Sequence, residues 1–194
     1  AVEASVVLSC PPYHDLDPSP ITRDDVRLLF HGQAIRGAGL EQLILASQNL
    51  KSHFSLTLIL TGNKTHVAEL QKLAASCSRV NILPPVPIDQ IVSETNAFDV
   101  GVAYFLPVNS NLLHVLPNKF FEYVQARLGV IIGPSPDMSR FIREFGLGWV
   151  SPDFSANSLV TLLNSLSVAE IWEAKLAAQQ AASRLCFEHE RGKL

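Results

Sequence analysis

Residues 98–133 read FDVGVAYFLPVNSNLLHVLPNKFFEYVQARLGVIIG, and their reading decides the fold. The stretch opens on an apolar run (98–105) and passes through the irregular loop LPVNSNLLHVLP. It then enters a segment (118–127) with Phe120, Phe121, Val124 and Leu128 at helical spacing, and closes on a second apolar run, GVIIG (129–133). An apolar strand, a helix and another apolar strand make one crossover unit, right-handed by default, joining parallel neighbours.

The alternation continues in both directions. Upstream, VRLLFH, FSLTLILTG and RVNIL read as strands, with helical patterns at 39–50, 64–76 and 88–96 between them and residue 98. Downstream come helices at 137–146 and 155–166 around a short strand GWV (148–150), then one long helix from Ala169 to about Glu190. The strands predicted at 26–31, 54–60, 79–83, 98–105 and 129–132 are rich in apolar residues without strict alternation, which suits strands covered on both faces. The expected class is α/β: a Rossmann-like parallel sheet with helices on both faces. The first residues differ. Ser5-Val6-Val7-Leu8 reads as a short strand, followed by the Pro- and Asp-rich link PPYHDLDPSP. The expected organisation is a junction over 1–25, a Rossmann-like domain over 26–168 and a C-terminal helix over 169–194.

Composition limits the classes of function. With 47% hydrophobic and 17% charged residues in 194, the chain can bury one large core and does not suit disorder. A net charge of -3 argues against a dedicated nucleic-acid binder. Cys10, Cys77 and Cys186 form no CxxC pair, so neither a zinc site nor a disulfide framework is expected, and a reducing compartment fits. No signal peptide and no bilayer-spanning run is legible. The expected location is cytoplasmic.

Ligands of such sheets sit past the carboxyl ends of the strands. That rule selects the loops HGQAIRGAG (31–39), TGNKT (61–65), PPVP (84–87) and 106–119. The last is long for its position and ends in Pro117-Asn118-Lys119 directly before a helix. Asn118 is the expected N-cap, the helix start and Lys119 can hold an anion, and Glu122 follows one turn on. A carboxylate there can accept two hydroxyl hydrogen bonds, as a ribose offers; the plain alternative is a capped helix with a solvent Lys–Glu pair. In 31–39, Gly32, Gly37 and Gly39 permit close backbone approach and Arg36 can meet a phosphate, although the spacing is not GxGxxG. TGNKT lacks the upstream glycine of a phosphate-binding loop. Asp15-Leu16-Asp17 lies outside the sheet and is not read as a metal site. No histidine pair, nucleophile elbow or triad can be assembled by spacing, so the catalytic residues stay unassigned.

Taken in order, VVLSCPP, LLFHGQAIRGAGLEQLILA, FSLTLILTGN, RVNILPPVP, FDVGVAYF, LPNKFFEYVQARLGVIIG and GLGWVSPD resemble the C-terminal, nucleotide-sugar-binding domain of retaining GT-B glycosyltransferases of the family 4 kind. The resemblance implies transfer from a nucleotide-diphospho-sugar, with no cofactor and no essential metal. It implies that Glu122 binds the ribose and that Asn118 and Lys119 face the diphosphate. Backbone near Val86 would meet the base, and the loop after Gly32 would close over the phosphates. His114 stands where the family often carries a glutamate near the sugar. Ala38 stands where a basic residue is common, with Arg36 two residues upstream as a substitute. The implied partner is an N-terminal acceptor-binding domain outside this chain, through which alone the protein would meet a membrane as a peripheral enzyme. Two other readings remain open: a nucleotide-sugar epimerase of the same fold, and a non-catalytic GT-B-like binding module.

Overall fold

Each apolar run becomes a strand of one six-stranded, all-parallel sheet in a computed structural model that describes residues 6–22 and 25–193. The strands are β1 (Val26–Ala34), β2 (Phe54–Gly62), β3 (Val80–Leu83), β4 (Val100–Ala103), β5 (Gly129–Ile132) and β6 (Gly148–Val150), in the order β3-β2-β1-β4-β5-β6. The sheet therefore grows outward in both directions from the β1/β4 pair. Helices α1 (Leu40–Ala46), α2 (Lys64–Ala74) and α7 (Ala156–Ser165) bury one face. On the other lie α3 (Ile91–Thr95), α5 (Asn118–Gln125), α6 (Pro136–Phe145) and α8 (Val168–Ala181). A single turn, α4 (Ser110–Leu113), sits inside the long loop, and α9 (Phe187–Arg191) ends the described chain. The fold class is the α/β, Rossmann-like sheet that the alternation implies. No helix among the described residues is long and apolar enough to cross a membrane.

The register of the central strands opens the crevice that matters. β1 and β2 stay paired from Val26↔Phe54 to Ala34↔Gly62, whereas β1 and β4 pair only at Leu28↔Val100 and Leu29↔Gly101. Beyond Leu29 the two strands are bridged by a side chain instead. The Tyr123 hydroxyl accepts from the His31 N–H (3.2 Å) and donates to the Val102 carbonyl (3.4 Å). Its ring can lie there because residue 101 is glycine; a Cβ would stand 2.3 Å from the ring. Crevices of this kind, where the strand order reverses, are where open α/β sheets bind ligands.

Several elements differ from the sequence reading. Val6–Leu8 form no strand, and Ser5 lies outside the described residues. β4 spans only Val100–Ala103 of the predicted 98–105; beyond it the Tyr104 hydroxyl donates to the Phe154 carbonyl (3.1 Å) and the Leu106 N–H leaves the ladder for the Ala38 carbonyl (3.1 Å). The long terminal helix divides into α8 and α9. At the break, the Gln125 amide donates to the carbonyls of Ala182 (2.7 Å) and Leu185 (3.0 Å), and the Phe187 N–H turns to the Pro11 carbonyl (2.8 Å). α8 lies across β5 and α5, with Ile171 fully buried and Trp172 and Leu176 half-buried.

Residues 6–22 are irregular but fastened. The N–H groups of Leu8 and Tyr13 donate to Glu190 and Glu188 of α9 (2.8 Å each), tying this strap to the C-terminal segment. Arg127, fully buried, donates to the carbonyls of His14 (2.6 Å) and Leu16 (3.1 Å). It closes α5 in a left-handed conformation (φ 61°), with the Arg127 and Leu128 N–H groups returning to Val124 and Tyr123. Glycine usually occupies that position; the strain, about 1–3 kcal/mol, is offset by the guanidinium's bonds to the strap.

A second buried charge ties the sheet to α8. The Lys175 ammonium donates to the Phe98 carbonyl (2.7 Å), Ser19 Oγ (3.1 Å) and Asp99 Oδ1 (3.2 Å), and the Arg27 N–H donates to Asp99 Oδ2 (2.8 Å). Removing one partner strands the other charge, so Asp99→Ala is expected to cost about 3–5 kcal/mol in urea unfolding. The double variant Asp99→Ala, Lys175→Met is expected to recover much of that loss. A double variant as unstable as the sum of the two single changes would show that the ion pair is not the source.

Candidate functional site

Helix α5 puts three polar residues at the switch-point crevice. Its first turn begins at Asn118, with Pro117 rather than Asn118 as the N-cap, so Asn118 is exposed at the helix start with its side chain free of capping duty. The N–H groups of Asn118 and Lys119 make no hydrogen bond among the described residues, leaving the positive end of the helix dipole open. Phe120, Phe121, Tyr123 and Val124 are buried, which fixes the rotation of the helix. Lys119 and Glu122 are thereby held at the carboxyl edge of the sheet, beside β1.

Lys119 is not the solvent-facing residue that the helical pattern suggests. It is 9% exposed, and its ammonium lies 3.7 Å from the centre of the Phe30 ring and 4.8 Å from that of Phe105. It makes no hydrogen bond or ion pair among the described residues. Burial, opposed by the negative charge of Glu122, brings its pKa down to about 7. Gly32 makes room for it: a Cβ there would stand 3.0 Å from Lys119 Nζ, and its φ of 126° is one that other residues adopt only under strain.

Glu122 is mostly buried and lies 3.4 Å from His31 Nε2, in a geometry that makes no hydrogen bond. Burial raises its pKa, and Lys119 holds it down. The His31 ring is buried, with its pKa lowered to about 3 by burial and by Lys119, so it faces Glu122 as a neutral imidazole. Glu122 also lines two clefts. The strand-side cleft, about 220 Å³, is lined by Gly32, Thr61, Glu122, Pro85, Val86 and Ile88 among others. The strap-side cleft, about 450 Å³, lies between strap residues such as Pro12 and His14, the Asp89 region, and Asn118. The two share Ile88, Ile91 and Glu122.

Gly32, Lys119, Glu122 and Val86 thus fall around one crevice, with Asn118 at its strap-side lip. Arg36 and His114 do not join them by any contact. The Arg36 guanidinium is held by Glu69 of α2 (2.7 Å), and His114 Nδ1 lies 2.9 Å from Asp137 Oδ2 at the start of α6. The sequence reading overlooked Tyr123, His31 and Ile88. Tyr123 sat within the quoted LPNKFFEYVQ segment, and His31 preceded the first glycine of its loop; nothing in their spacing marked them. Among the described residues no group of three His, Cys, Asp or Glu side chains could hold a metal ion.

No protein-family model matches the chain, and no curated protein matches it. Solved structures do. HepE of Anabaena, in complex with UDP-glucose, superposes with a TM-score of 0.68 at 15% identity, over 84% of this chain and 45% of that one. The O-GlcNAc transferase of Thermobaculum terrenum gives 0.66 at 17%, over 94% and 36%. A UDP-forming α,α-trehalose-phosphate synthase of Burkholderia vietnamiensis gives 0.61 at 9%, over 87% and 44%. The chain spans less than half the length of each of these proteins. At these identities the likeness is one of fold: the chain has the Rossmann-like α/β fold found in GT-B glycosyltransferases.

The desolvated Lys119 makes stability depend on pH. Its ordinary pKa is 10.5 and its folded value about 7, so between these the unfolded chain holds a proton that the folded chain lacks. Stability conferred at this position is therefore greatest above pH 10.5, declines as pH falls through that window, and is flat below about 7. Lys119→Met keeps the volume and removes the charge. Urea midpoints from pH 6 to pH 9 should rise more steeply in the wild type than in this variant; parallel curves would mean that Lys119 keeps its proton.

Proposed function

We propose that the chain is the donor-binding domain of a glycosyltransferase that moves a sugar from a nucleotide-diphospho-sugar to an acceptor. The observation that carries this reading is the convergence of Lys119, Glu122 and the open start of α5 on a crevice at the β1/β4 switch point. Glu122 accepts the two ribose hydroxyls. Lys119, Asn118 and the free N–H groups of the first turn face the diphosphate, which approaches over Gly32. The base lies toward Val86.

Charge supports the assignment. A lysine with no partner, walled by two aromatic rings, has surrendered its hydration, and an incoming diphosphate restores a counter-charge. Neutral His31 leaves the Glu122 carboxylate unneutralised for hydroxyl donors. HepE, whose fold the chain shares, has been solved with UDP and glucose and with UDP-glucose, which favours a nucleotide-sugar ligand. No cofactor enters this reading, and no metal is required. Acceptor contacts belong to an N-terminal domain outside this chain, and with them any peripheral membrane association of an otherwise cytoplasmic enzyme.

A second reading is a binding module of the same fold without turnover. Its support is that His114, at the position the resemblance assigns to a sugar-binding glutamate, contacts Asp137, while Arg36 is spent on Glu69. Product analysis of the full-length protein with several nucleotide sugars separates the cases: a transferred sugar supports the transferase, an isomerised nucleotide sugar an epimerase, and binding without turnover the module.

Calorimetric titration of nucleoside diphosphates tests the site itself. Glu122→Ala removes a charge-assisted hydrogen bond worth roughly 1.5–3 kcal/mol, on the order of 10- to 100-fold in affinity. Lys119→Met should weaken diphosphates more than the matching nucleosides. Phe121→Ala, a packing control, should cost about 3–5 kcal/mol of stability through the cavity it leaves beside Phe120 and Phe141. Unchanged affinity in Glu122→Ala for every nucleotide that binds would leave Glu122 without a ligand.

A further inference from the structure

A separate cavity of about 200 Å³ lies where α6 meets the strap and the C-terminal segment, and it shares no lining residue with either cleft of the candidate site. Its apolar lining comes from Leu8, Phe141, Phe145 and Leu185. Arg140, Arg184 and Lys193 also line it, with His189, against the carboxylates of Glu144 and Glu190. The carboxylates leave both arginines unpaired. Glu190 is buried and fully used: its Oε2 accepts from the Leu8 N–H (2.8 Å) and its Oε1 from Lys193 Nζ (2.6 Å). Glu144 follows Arg140 by four residues on α6, the spacing of an ordinary helix ion pair, yet the two form none. Neither Arg140 nor Arg184 makes an ion pair or a side-chain hydrogen bond among the described residues.

Both guanidinium groups lie near aromatic rings instead. Arg140 Cζ is 5.4 Å from the centre of the Phe141 ring and Arg184 Cζ is 4.8 Å from that of Phe145. The two rings stack, 6.3 Å apart with 9° between their planes. Two guanidinium groups from different elements are thus brought to one cavity by their aromatic neighbours, with their N–H forks uncommitted. Both residues are exposed, so an anion can reach them from solvent.

We propose that this cavity binds a phosphate group between Arg140 and Arg184, at a second anion site apart from the crevice. The guanidinium fork matches phosphate oxygens in a bidentate way that an ammonium does not, and two forks at one cavity favour a group with several oxygens. Glu144 and Glu190 set an upper limit on charge. Three full cations against two carboxylates leave the cavity a small positive excess, which suits one phosphate rather than a polyphosphate or a nucleic-acid backbone. The same chemistry is offered by a soluble phosphate monoester and by the headgroup of an anionic lipid. The inference does not depend on the nucleotide-binding reading of the crevice.

The test follows amide chemical shifts of the isotopically labelled 194-residue chain during addition of inorganic phosphate, with co-sedimentation on phosphatidic acid or phosphatidylcholine vesicles as a second arm. The expected result is saturable shifts around Arg140, Arg184 and His189 that sodium chloride at the same ionic strength does not reproduce. Arg140→Gln and Arg184→Gln should each weaken the binding about tenfold. Arg143→Gln is the control: it removes an equal charge from an exposed position of α6 outside the cavity, and should leave the binding unchanged. Saturable binding of free phosphate supports a soluble monoester as the ligand. Binding to phosphatidic acid but not phosphatidylcholine vesicles, lost in the same two variants, supports a lipid headgroup. Binding in neither arm, shifts confined to the crevice, shifts that follow ionic strength alone, or an equal loss in Arg143→Gln would overturn the site.

Discussion

The Tyr123 hydroxyl is the contact on which the arrangement of the crevice depends. It takes the His31 N–H and reaches the Val102 carbonyl, across strands whose mutual register ends at Leu29 and Gly101. A polar group buried there without a partner would be costly, so the bridge lets β1 and β4 part without stranding either group. It also sets the rotation of α5. With the Tyr123 ring against Gly101 and Phe120 and Phe121 in the core, residues 119 and 122 have one face left to occupy, and that face is the crevice.

The other end of the same helix is held just as firmly. Gln125 and Arg127 bond to the strap at His14 and Leu16, and Gln125 also caps the break between α8 and α9. One helix therefore carries the crevice-facing residues at its start and gathers both described ends of the chain at its finish. The strap residues so fixed line the strap-side cleft together with Glu122.

The fold was legible because short runs rich in apolar residues alternate with segments of helical spacing and are bounded by Gly, Pro and Asn breakers, and all five predicted strands appear, some with shifted ends. The candidate site was legible in part: a helix start after a long loop singles out Asn118, Lys119 and Glu122, which the structure places at the crevice. What could not be read was direction. Helical spacing puts Lys119 and Glu122 on a common face, but only the Phe30 and Phe105 rings make that face a dry slot rather than solvent. Arg36 was a reasonable phosphate ligand by position, yet Glu69, thirty-odd residues away, holds it. Long-range pairings of this sort, like Arg127 with the strap, leave no mark in local sequence pattern.

Amide chemical shifts of the isotopically labelled chain, followed during addition of UDP, test the central claim most directly. The account predicts shifts at Gly32, Thr61, Val86, Ile88 and the first turns of α5 from Asn118 to Glu122, with α7 undisturbed. Shifts centred instead on the groove beside Leu45 and Asn157, or none at ligand concentrations that saturate a weak site, would contradict it.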